Sequence, residues 1–279
     1  MSTDLSQLPP PEVVTQLDAD QIHAEMVDRY EVLQAEAGTP VNLKIGDPIY
    51  NAFLTMAQRL TTVHAEFQDL SLQNMLAFAS NNNLEQLAGL SSTARAEGES
   101  DERLRDRSQM APEGFSVAGP DGAYRVHTLD ADPRVKDVDV SSPVKGQVLL
   151  SILSFEADGT ADAGLISVVQ DYMSAKERRP LTDEVVVQSA QIGSYTVDAD
   201  LYFSTGPSRE VVMAAVTSAV QAYVDKQHRI GAEVAQSGLI AALHQPGVEK
   251  AVLNTPAAGV TAVANVAPYC TAITLRWAN

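Results

Sequence analysis

The stretch that decides the fold is VLLSIL at Val148–Leu153, followed by DAGLISVVQDYMSA at Asp162–Ala175 and VVV at Val185–Val187. The first and last segments are short, apolar and rich in β-branched or other strand-compatible residues, which favours buried strands. The middle segment places its apolar residues three and four positions apart, as on one face of a helix. Together the three segments predict a strand–helix–strand unit.

C-terminal to this unit, the sequence predicts a second one. Tyr195–Phe203 alternates apolar and polar residues, and Ser208–His228 has the period of a long helix. The similarity hints at a weak internal duplication. The rest of the chain predicts a helix at Val234–Leu243 and three closing strands, at Val248–Leu253, Val260–Val266 and Thr271–Arg276.

N-terminal to the deciding stretch, the pattern is mainly helical. One helix is predicted from Asp18 to a stop at Gly38-Thr39-Pro40, and a second from Pro48 to Asp69. Pro48 suits the first turn of a helix, where a missing N–H costs nothing. Further expectations are short helical pieces at Leu72–Ala79 and Leu84–Leu90 around a turn at Ser80–Asn83, a solvated linker leading into a helix at Arg95–Arg107, a helix at Pro120–Leu129 and a strand beginning at Val135.

These elements predict an α+β fold, with an N-terminal helical arm followed by α+β domains that contain βαβ-like units. We expect residues 1–95 to form the helical arm. Residues 96–190 are then a central α+β domain, and residues 191–279 are a C-terminal α+β domain.

Composition excludes several classes of protein. Asp and Glu outnumber Lys and Arg 36 to 19, so the net charge of −17 disfavours binding to nucleic acid. The single cysteine, Cys270, cannot form an internal disulfide or a cysteine-based zinc cluster. The start of the chain lacks the pattern of a signal peptide, and no apolar run is long enough to span a membrane. We therefore expect a soluble chain that is made in the cytoplasm.

Motifs for catalysis are near misses. Gly114–Gly119 resembles a nucleophile elbow around Ser116, but it has one residue too many and no preceding strand. Gly119-Pro120-Asp121-Gly122 lacks the residues of a phosphate loop, and Asp158–Asp162 lacks the ligand pattern of an EF-hand. A turn explains the first and the last of these motifs better, and in the first we expect Ser116 to cap the helix that follows.

Titratable residues give no site either. His23, His64, His127, His228 and His244 are scattered, and no two have metal-binding spacing on one helix, so each is expected on the surface or half-buried. Asp198 and Asp200 share one face of a predicted strand, as on an ordinary solvated face. We expect no catalytic residue, no cofactor and no metal.

An apolar stripe on the Pro48–Asp69 helix needs a partner. Either it packs inside the chain, or it packs against helices of other subunits in a bundle or coiled coil. Its members are the candidate interface residues, Ile49, Phe53, Met56, Leu60, Val63 and Phe67.

Motifs in a fixed order along nearly the whole chain resemble the baseplate assembly protein J family of contractile-tailed phages and tailocins. The most specific is Glu99–Arg105 followed by Ala111–Pro120 and Tyr124. The chain departs from the family at Ala37–Asp47, where it is shorter. The other matching segments are Asp4–Val14, Asp158–Ala161, Arg178–Asp183, Gly206-Pro207, His228–Gly231 and Pro268–Cys270.

The resemblance implies a non-enzymatic subunit of a baseplate wedge, assembled in the host cytoplasm and retained in the tail of the particle. Its implied partners are a second copy of itself, other wedge subunits, the sheath-proximal wedge protein and the tail hub. N-terminal helices would meet in a bundle, and C-terminal domains would form a ring whose opening is coupled to sheath contraction. The alternatives are a hydrolytic tail-hub component and an assembly chaperone absent from the finished particle.

Overall fold

The computed structural model describes residues 5–116, 119–176, 178–203 and 208–278. Asp4, Val117, Ala118 and Gly206-Pro207, which belong to the motifs quoted above, lie outside the described residues. The chain divides into two compact units, one ending at Gln109 and one beginning at Met110. Helices and two small mixed sheets confirm the predicted α+β class.

The N-terminal unit is helical. Helix α1 spans Ala19–Glu36, α2 spans Pro48–Leu72, α3 spans Asn81–Leu90 and α4 spans Asp101–Met110. A short 3-10 turn at Leu5–Gln7 precedes them. The side chain of Asp18 caps α1 by accepting hydrogen bonds from the N–H groups of Asp20 (2.8 Å) and Gln21 (3.4 Å).

The expected helix at Leu72–Ala79 is wrong. Helix α2 runs on to Leu72, and the chain then turns because Gln73 bonds locally: its Oε1 accepts from Ser80 N at 2.9 Å. The expected turn at Ser80–Asn83 is also wrong in extent, since α3 already begins at Asn81. Asp101 Oδ2 accepts from the N–H of Asn81 at 2.9 Å and so supplies the helix cap from a distant segment.

The charged stretch at Arg95–Arg107 is not the solvated linker that its composition indicated. Arg95 pairs with Glu85 (2.7 Å) and Asp101 (2.6 Å). The side chain of Glu99 is only 1% exposed and accepts from Arg107 at 2.8 Å. These ion pairs close a small core under α4, made of Ala79, Leu84, Ala88 and Leu104 with Leu76 and Leu87.

The second unit contains two sheets. Its helices are α5 (Asp121–Ala131), α6 (Ala163–Met173), α7 (Arg209–Gln227) and α8 (Gln236–Leu243), after a 3-10 turn at Ala111–Phe115. Its strands are β1 (Val135–Ser141), β2 (Gln147–Ser154), β3 (Glu184–Ser189), β4 (Gln191–Phe203), β5 (Val248–Thr255) and β6 (Val266–Trp277).

The first sheet has the order β1-β2-β3. Strand β2 is antiparallel to β1 and parallel to β3, and α6 makes the crossover between β2 and β3. The predicted strand–helix–strand unit is therefore confirmed. Leu165, Val169 and Met173 of α6 pack on the sheet together with Tyr124 of α5.

The second sheet has the order β5-β4-β6, and it corrects the prediction of a second βαβ unit. The strand that follows helices α7 and α8 is β5, and it pairs antiparallel with β4. The parallel neighbour of β4 is β6. The valines at 212, 216, 220 and 224 of α7 are buried over β4. The different connectivity of the two sheets gives no support to an internal duplication.

The expected strand at Val260–Val266 is wrong as well. Val260 forms only an isolated bridge with Val234, with N···O distances of 2.9 Å in both directions, outside the sheet. The chain then turns, and β6 begins at Val266. The segment therefore has the alternating pattern of a strand but does not pair with a strand of the sheet.

Candidate assembly interface

Helix α2 is held at its first turns by α1. The ring of His23 meets Tyr50 edge-on at 4.3 Å, and His23 Nε2 lies 3.2 Å from the carbonyl oxygen of Tyr50. Tyr30 meets Phe53 edge-on at 5.5 Å. Ala57, one turn further along α2, is completely buried. This face of α2 is therefore committed to contacts within the chain.

An extended segment at residues 11–14, here called the extended arm, lies along the later part of α2. The side-chain amide of Gln68 donates to the carbonyl oxygen of Pro11 at 2.7 Å. Its oxygen accepts from the N–H groups of Val13 (2.8 Å) and Val14 (3.1 Å). One side chain thus satisfies three backbone groups of a segment without helix or strand partners.

The predicted apolar stripe lies on the exposed side of α2. Met56 and Phe67 are 55% and 57% exposed, and Ile49, Leu60 and Val63 are less exposed, at 38–41%. Phe53 differs, because it is half-buried against Tyr30. The structure therefore brings five of the six predicted residues to the surface together and turns the sixth partly inward.

Leu70 extends the stripe and was missed by the sequence prediction. It is 64% exposed and lies three residues after Phe67. The predicted helix ended at Asp69, so the repeat was cut short. With Leu70, the positions 49, 53, 56, 60, 63, 67 and 70 alternate steps of four and three, which is the spacing of a coiled-coil seam. At about 1.5 Å per residue the seam is roughly 32 Å long.

Charge beside this seam is sparse. Arg59 and Glu66 lie on one flank and pair with each other at 3.1 Å, with side chains 64% and 54% exposed. A pair this exposed contributes between about 0 and 1 kcal/mol to stability. The seam is therefore an apolar surface, and burial against another helix is what its chemistry favours.

The motifs rejected for catalysis have structural contacts. Asp198 accepts from Asn254 Nδ2 at 2.9 Å and pairs with Arg276, and these two contacts, in that order, hold the pKa of Asp198 below its usual range. Arg276 Nε also donates to Asp200 at 3.1 Å. The strand face is thus cross-linked by ion pairs, rather than merely solvated as expected.

Ser116 follows the 3-10 turn at Ala111–Phe115, and Pro120 occupies the N-cap of α5 instead.

Two histidines differ from the expectation of surface or half-buried positions. His23 and His228 are buried, at 7% and 8% exposed. Both are buried through contacts with distant segments, Tyr50 and Lys136 respectively, which no local pattern indicates. Among the described residues, no three His, Cys, Asp or Glu side chains cluster as a metal site, and no helix is long and apolar enough to cross a membrane.

Two family models of known proteins match segments of the second unit. Residues 116–189, which include the first sheet, match the family model "Baseplate J-like central domain". Residues 195–276, which include most of the second sheet, match "Baseplate J-like protein C-terminal domain".

Whole-chain comparison extends the match to the N-terminal unit. The chain is 35% identical over 287 aligned positions to "Baseplate protein J" of Escherichia phage P2, covering 96% of this chain and 95% of that protein. A chain in the cryo-EM structure of the anti-feeding prophage (AFP) baseplate is similar with a TM-score of 0.42 and 14% identity; the match covers 63% of this chain and 42% of that one. On its family-model matches and its identity to the phage protein, this chain belongs to the baseplate J family.

Proposed function

We propose that the chain is a structural subunit of the baseplate of a contractile tail, placed in the wedge. Support comes from its relation to the phage protein that is named for the baseplate. The acidic surface and the structural engagement of Asp198, Asp200 and Arg276 fit a protein that works through contacts with other proteins. Family membership makes a structural role the expected one.

The observation that carries the proposal is the exposed seam on α2. Leu60 lies at the centre of the seam and Phe67 one heptad further along it, and burial of their exposed parts would stabilise a complex by about 1 kcal/mol each. Helices of other chains are the proposed cover, because α1 and the extended arm occupy the neighbouring face of α2 and leave most of the seam exposed. In this proposal the helical arm, residues 1–95, assembles the wedge.

The remaining parts of the chain take the ring contacts. We assign residues 96–190 and 191–279 to contacts with neighbouring wedges, the sheath-proximal wedge protein and the hub. Opening of such a ring would be coupled to sheath contraction through interfaces that have two stable arrangements. A second copy of the chain belongs to the same wedge.

Substitutions in the seam test the proposal. Leu60→Glu with Phe67→Glu places two carboxylates where the partner helices would exclude water, and burial of unpaired charge is strongly unfavourable. Co-expressed with the other baseplate proteins of its source, the double variant should stay free, whereas the unchanged chain should enter a larger complex on sizing and co-purification.

The control places the same charges elsewhere on α2. Gln58→Glu with Ala65→Glu changes two exposed positions outside the seam, so this variant should assemble normally. Circular dichroism and thermal melting should show both variants folded. Normal assembly of the Leu60/Phe67 variant would refute the role of the seam.

A further inference from the structure

Exposed strand edges differ sharply within the second unit. An edge strand presents unpaired N–H and C=O groups that can pair with a strand of another chain, and proteins commonly block such edges. The edge of β3 is blocked by Gln170 of α6, whose side-chain amide donates to Val185 O at 2.8 Å and accepts from Val187 N at 2.9 Å. Gln170 thus takes the place of a further strand.

The edge of β1 is blocked in a similar way. Arg125 donates to the carbonyl oxygen of Val138 at 2.7 Å, and the N–H of Val138 donates to Asp137 Oδ1 at 2.9 Å. The edge of β5 carries the exposed charged residues Glu249 and Lys250, which discourage pairing with a further strand. Three of the four edges therefore carry side-chain caps or charges.

C-terminal to a bulge at Thr271, the edge of β6 carries no side-chain cap from any described residue, and its one charged residue there, Arg276, is paired with Asp198 and Asp200. The start of β6 is covered, because Gly231 N donates to Val266 O at 2.8 Å. From Tyr269 to Leu275 the sequence is YCTAITL, which has no charged residue, proline or glycine. Neutral segments of this length with high strand propensity associate readily when their edge is open.

The direction of the free backbone groups follows from the pairing with β4. Ala278 N donates to Leu201 O at 2.9 Å, so Ala278 and the alternate residues before it face β4, back to the bulge at Thr271. The main-chain groups of Ile273, Leu275 and Trp277 then point away from the sheet. Within the described residues, no hydrogen bond to these outward groups is seen from any other segment.

We propose that β6 pairs antiparallel with β6 of a second copy of this chain, which joins the two second sheets into one. This inference deepens the proposed function, on which it rests, by naming an interface with the second copy. A two-fold axis at Leu275 would let the two Leu275 residues exchange both main-chain hydrogen bonds, and Ile273 would do the same with Trp277 of the partner subunit. Thr274 would then lie opposite the partner's Arg276, and this register uses only the part of β6 that follows its bulge at Thr271.

The local distribution of charge along β6 allows this edge to pair with itself, although the net charge of the chain opposes association. The chain carries a net charge of −17, which opposes association of two copies over most of its surface. In this register no two like charges lie opposite each other, since Arg276 faces Thr274 and the other facing side chains are small, β-branched or apolar. Trp277, beyond Arg276, is held in place because its ring packs on Phe203 at 5.7 Å and under Arg209 at 4.0 Å.

The test uses the full chain with Leu60→Glu and Phe67→Glu, which removes association through the seam of α2. Sedimentation over a range of concentrations should still show a dimer. Adding Ala272→Lys and Thr274→Lys would place like charges, the lysine at position 274 and the partner's Arg276, directly opposite each other twice in the dimer, so that only monomer should remain. Thr261→Lys with Ala264→Lys, on the exposed loop before β6, should leave the dimer intact.

Hydrogen exchange supplies an independent readout. The amides of Ile273 and Leu275 should exchange more slowly as concentration rises, and the two lysines on β6 should abolish this dependence. Monomer at every concentration, with exchange that does not change, would overturn the pairing and leave the role of the α2 seam untouched. Slowing of these amides only when another baseplate protein is added would also overturn it, by assigning the edge to that protein.

Discussion

At the scale of single residues, His228 shows how a distant contact sets the chemistry of a side chain. It ends α7, and its Nδ1 lies 3.0 Å from the ammonium of Lys136 on β1. Its Nε2 is buried without a partner and faces Gly159, where a Cβ would lie 2.8 Å away. Gly159 also has a φ of +95°, so both space and backbone conformation require glycine there.

The environment of His228 favours the neutral ring. Burial, and then the neighbouring Lys136, lowers the pKa of His228, and burial lowers the pKa of Lys136 too. Asp158 and Asp225 act in the opposite direction without reversing the shift. Tyr269 packs on the ring at 5.2 Å from the β6 side.

A pH dependence follows with a definite sign. The unfolded chain takes up a proton at an ordinary histidine pKa of about 6.5, while folded His228 remains neutral to lower pH, so stability falls as the pH drops through this range. Melting temperature should therefore fall between pH 7.5 and pH 5.5, and His228→Gln should make that fall smaller. His127, whose pKa burial also lowers, contributes equally to both proteins.

The matched control is His244→Gln, which changes an exposed histidine at the end of α8. It should retain the fall in melting temperature of the unchanged chain. Equal falls for the His228 variant and the unchanged chain would contradict the assignment.

At the scale of elements, α2 carries two surfaces with different duties. One face contacts α1 and the extended arm, and the neighbouring, exposed face carries the seam from Ile49 to Leu70. Pro48 at its first turn and Gln73 at its end set the length of the helix, and so the length of the seam. The extended arm depends on one side chain, Gln68.

Gln68→Ala should release the extended arm (residues 11–14) from α2 without unfolding the helix. The variant loses the hydrogen bonds to Val13 and Val14, each with a net contribution of about 1 kcal/mol. Amide exchange at Val13 and Val14 should become more than about tenfold faster, since about 1.4 kcal/mol corresponds to a factor of ten. Gln58→Ala, an exposed glutamine on the same helix, should leave their exchange unchanged.

At the scale of the whole molecule, charge and neutrality divide the surface. The chain has 36 acidic against 19 basic residues, which limits non-specific association. Among the described residues, two strips depart from this rule, the α2 seam in one unit and the outer edge of β6 in the other. Both are elongated and carry few charges, as expected of surfaces that recognise a regular element of another chain.

A structural subunit and an assembly chaperone differ in where the chain ends up. If the proposed function is correct, mass spectrometry of purified tail particles should detect the chain as a stoichiometric component. Particles from cells that carry the Leu60/Phe67 variant alone should lack it or fail to form. Finished particles that never contain the unchanged chain would favour the chaperone.

The sequence by itself determined the α+β class, the strand–helix–strand unit at residues 148–187 and most of the apolar seam. These features depend on periodicity over neighbouring residues, which fixes the buried face of an element wherever that element packs. The ordered motifs also determined the family, which the comparisons confirmed.

Tertiary structure alone decided what each face meets. Only the fold shows that β5 pairs antiparallel with β4, that Glu99 is buried among arginines and that His228 lies on Lys136. It also decided that Phe53 turns inward while Leu70 stays exposed. The physical reason is the same in each case: strand neighbours and ion-pair partners come from residues far apart in the chain, and local periodicity does not specify which of them will meet.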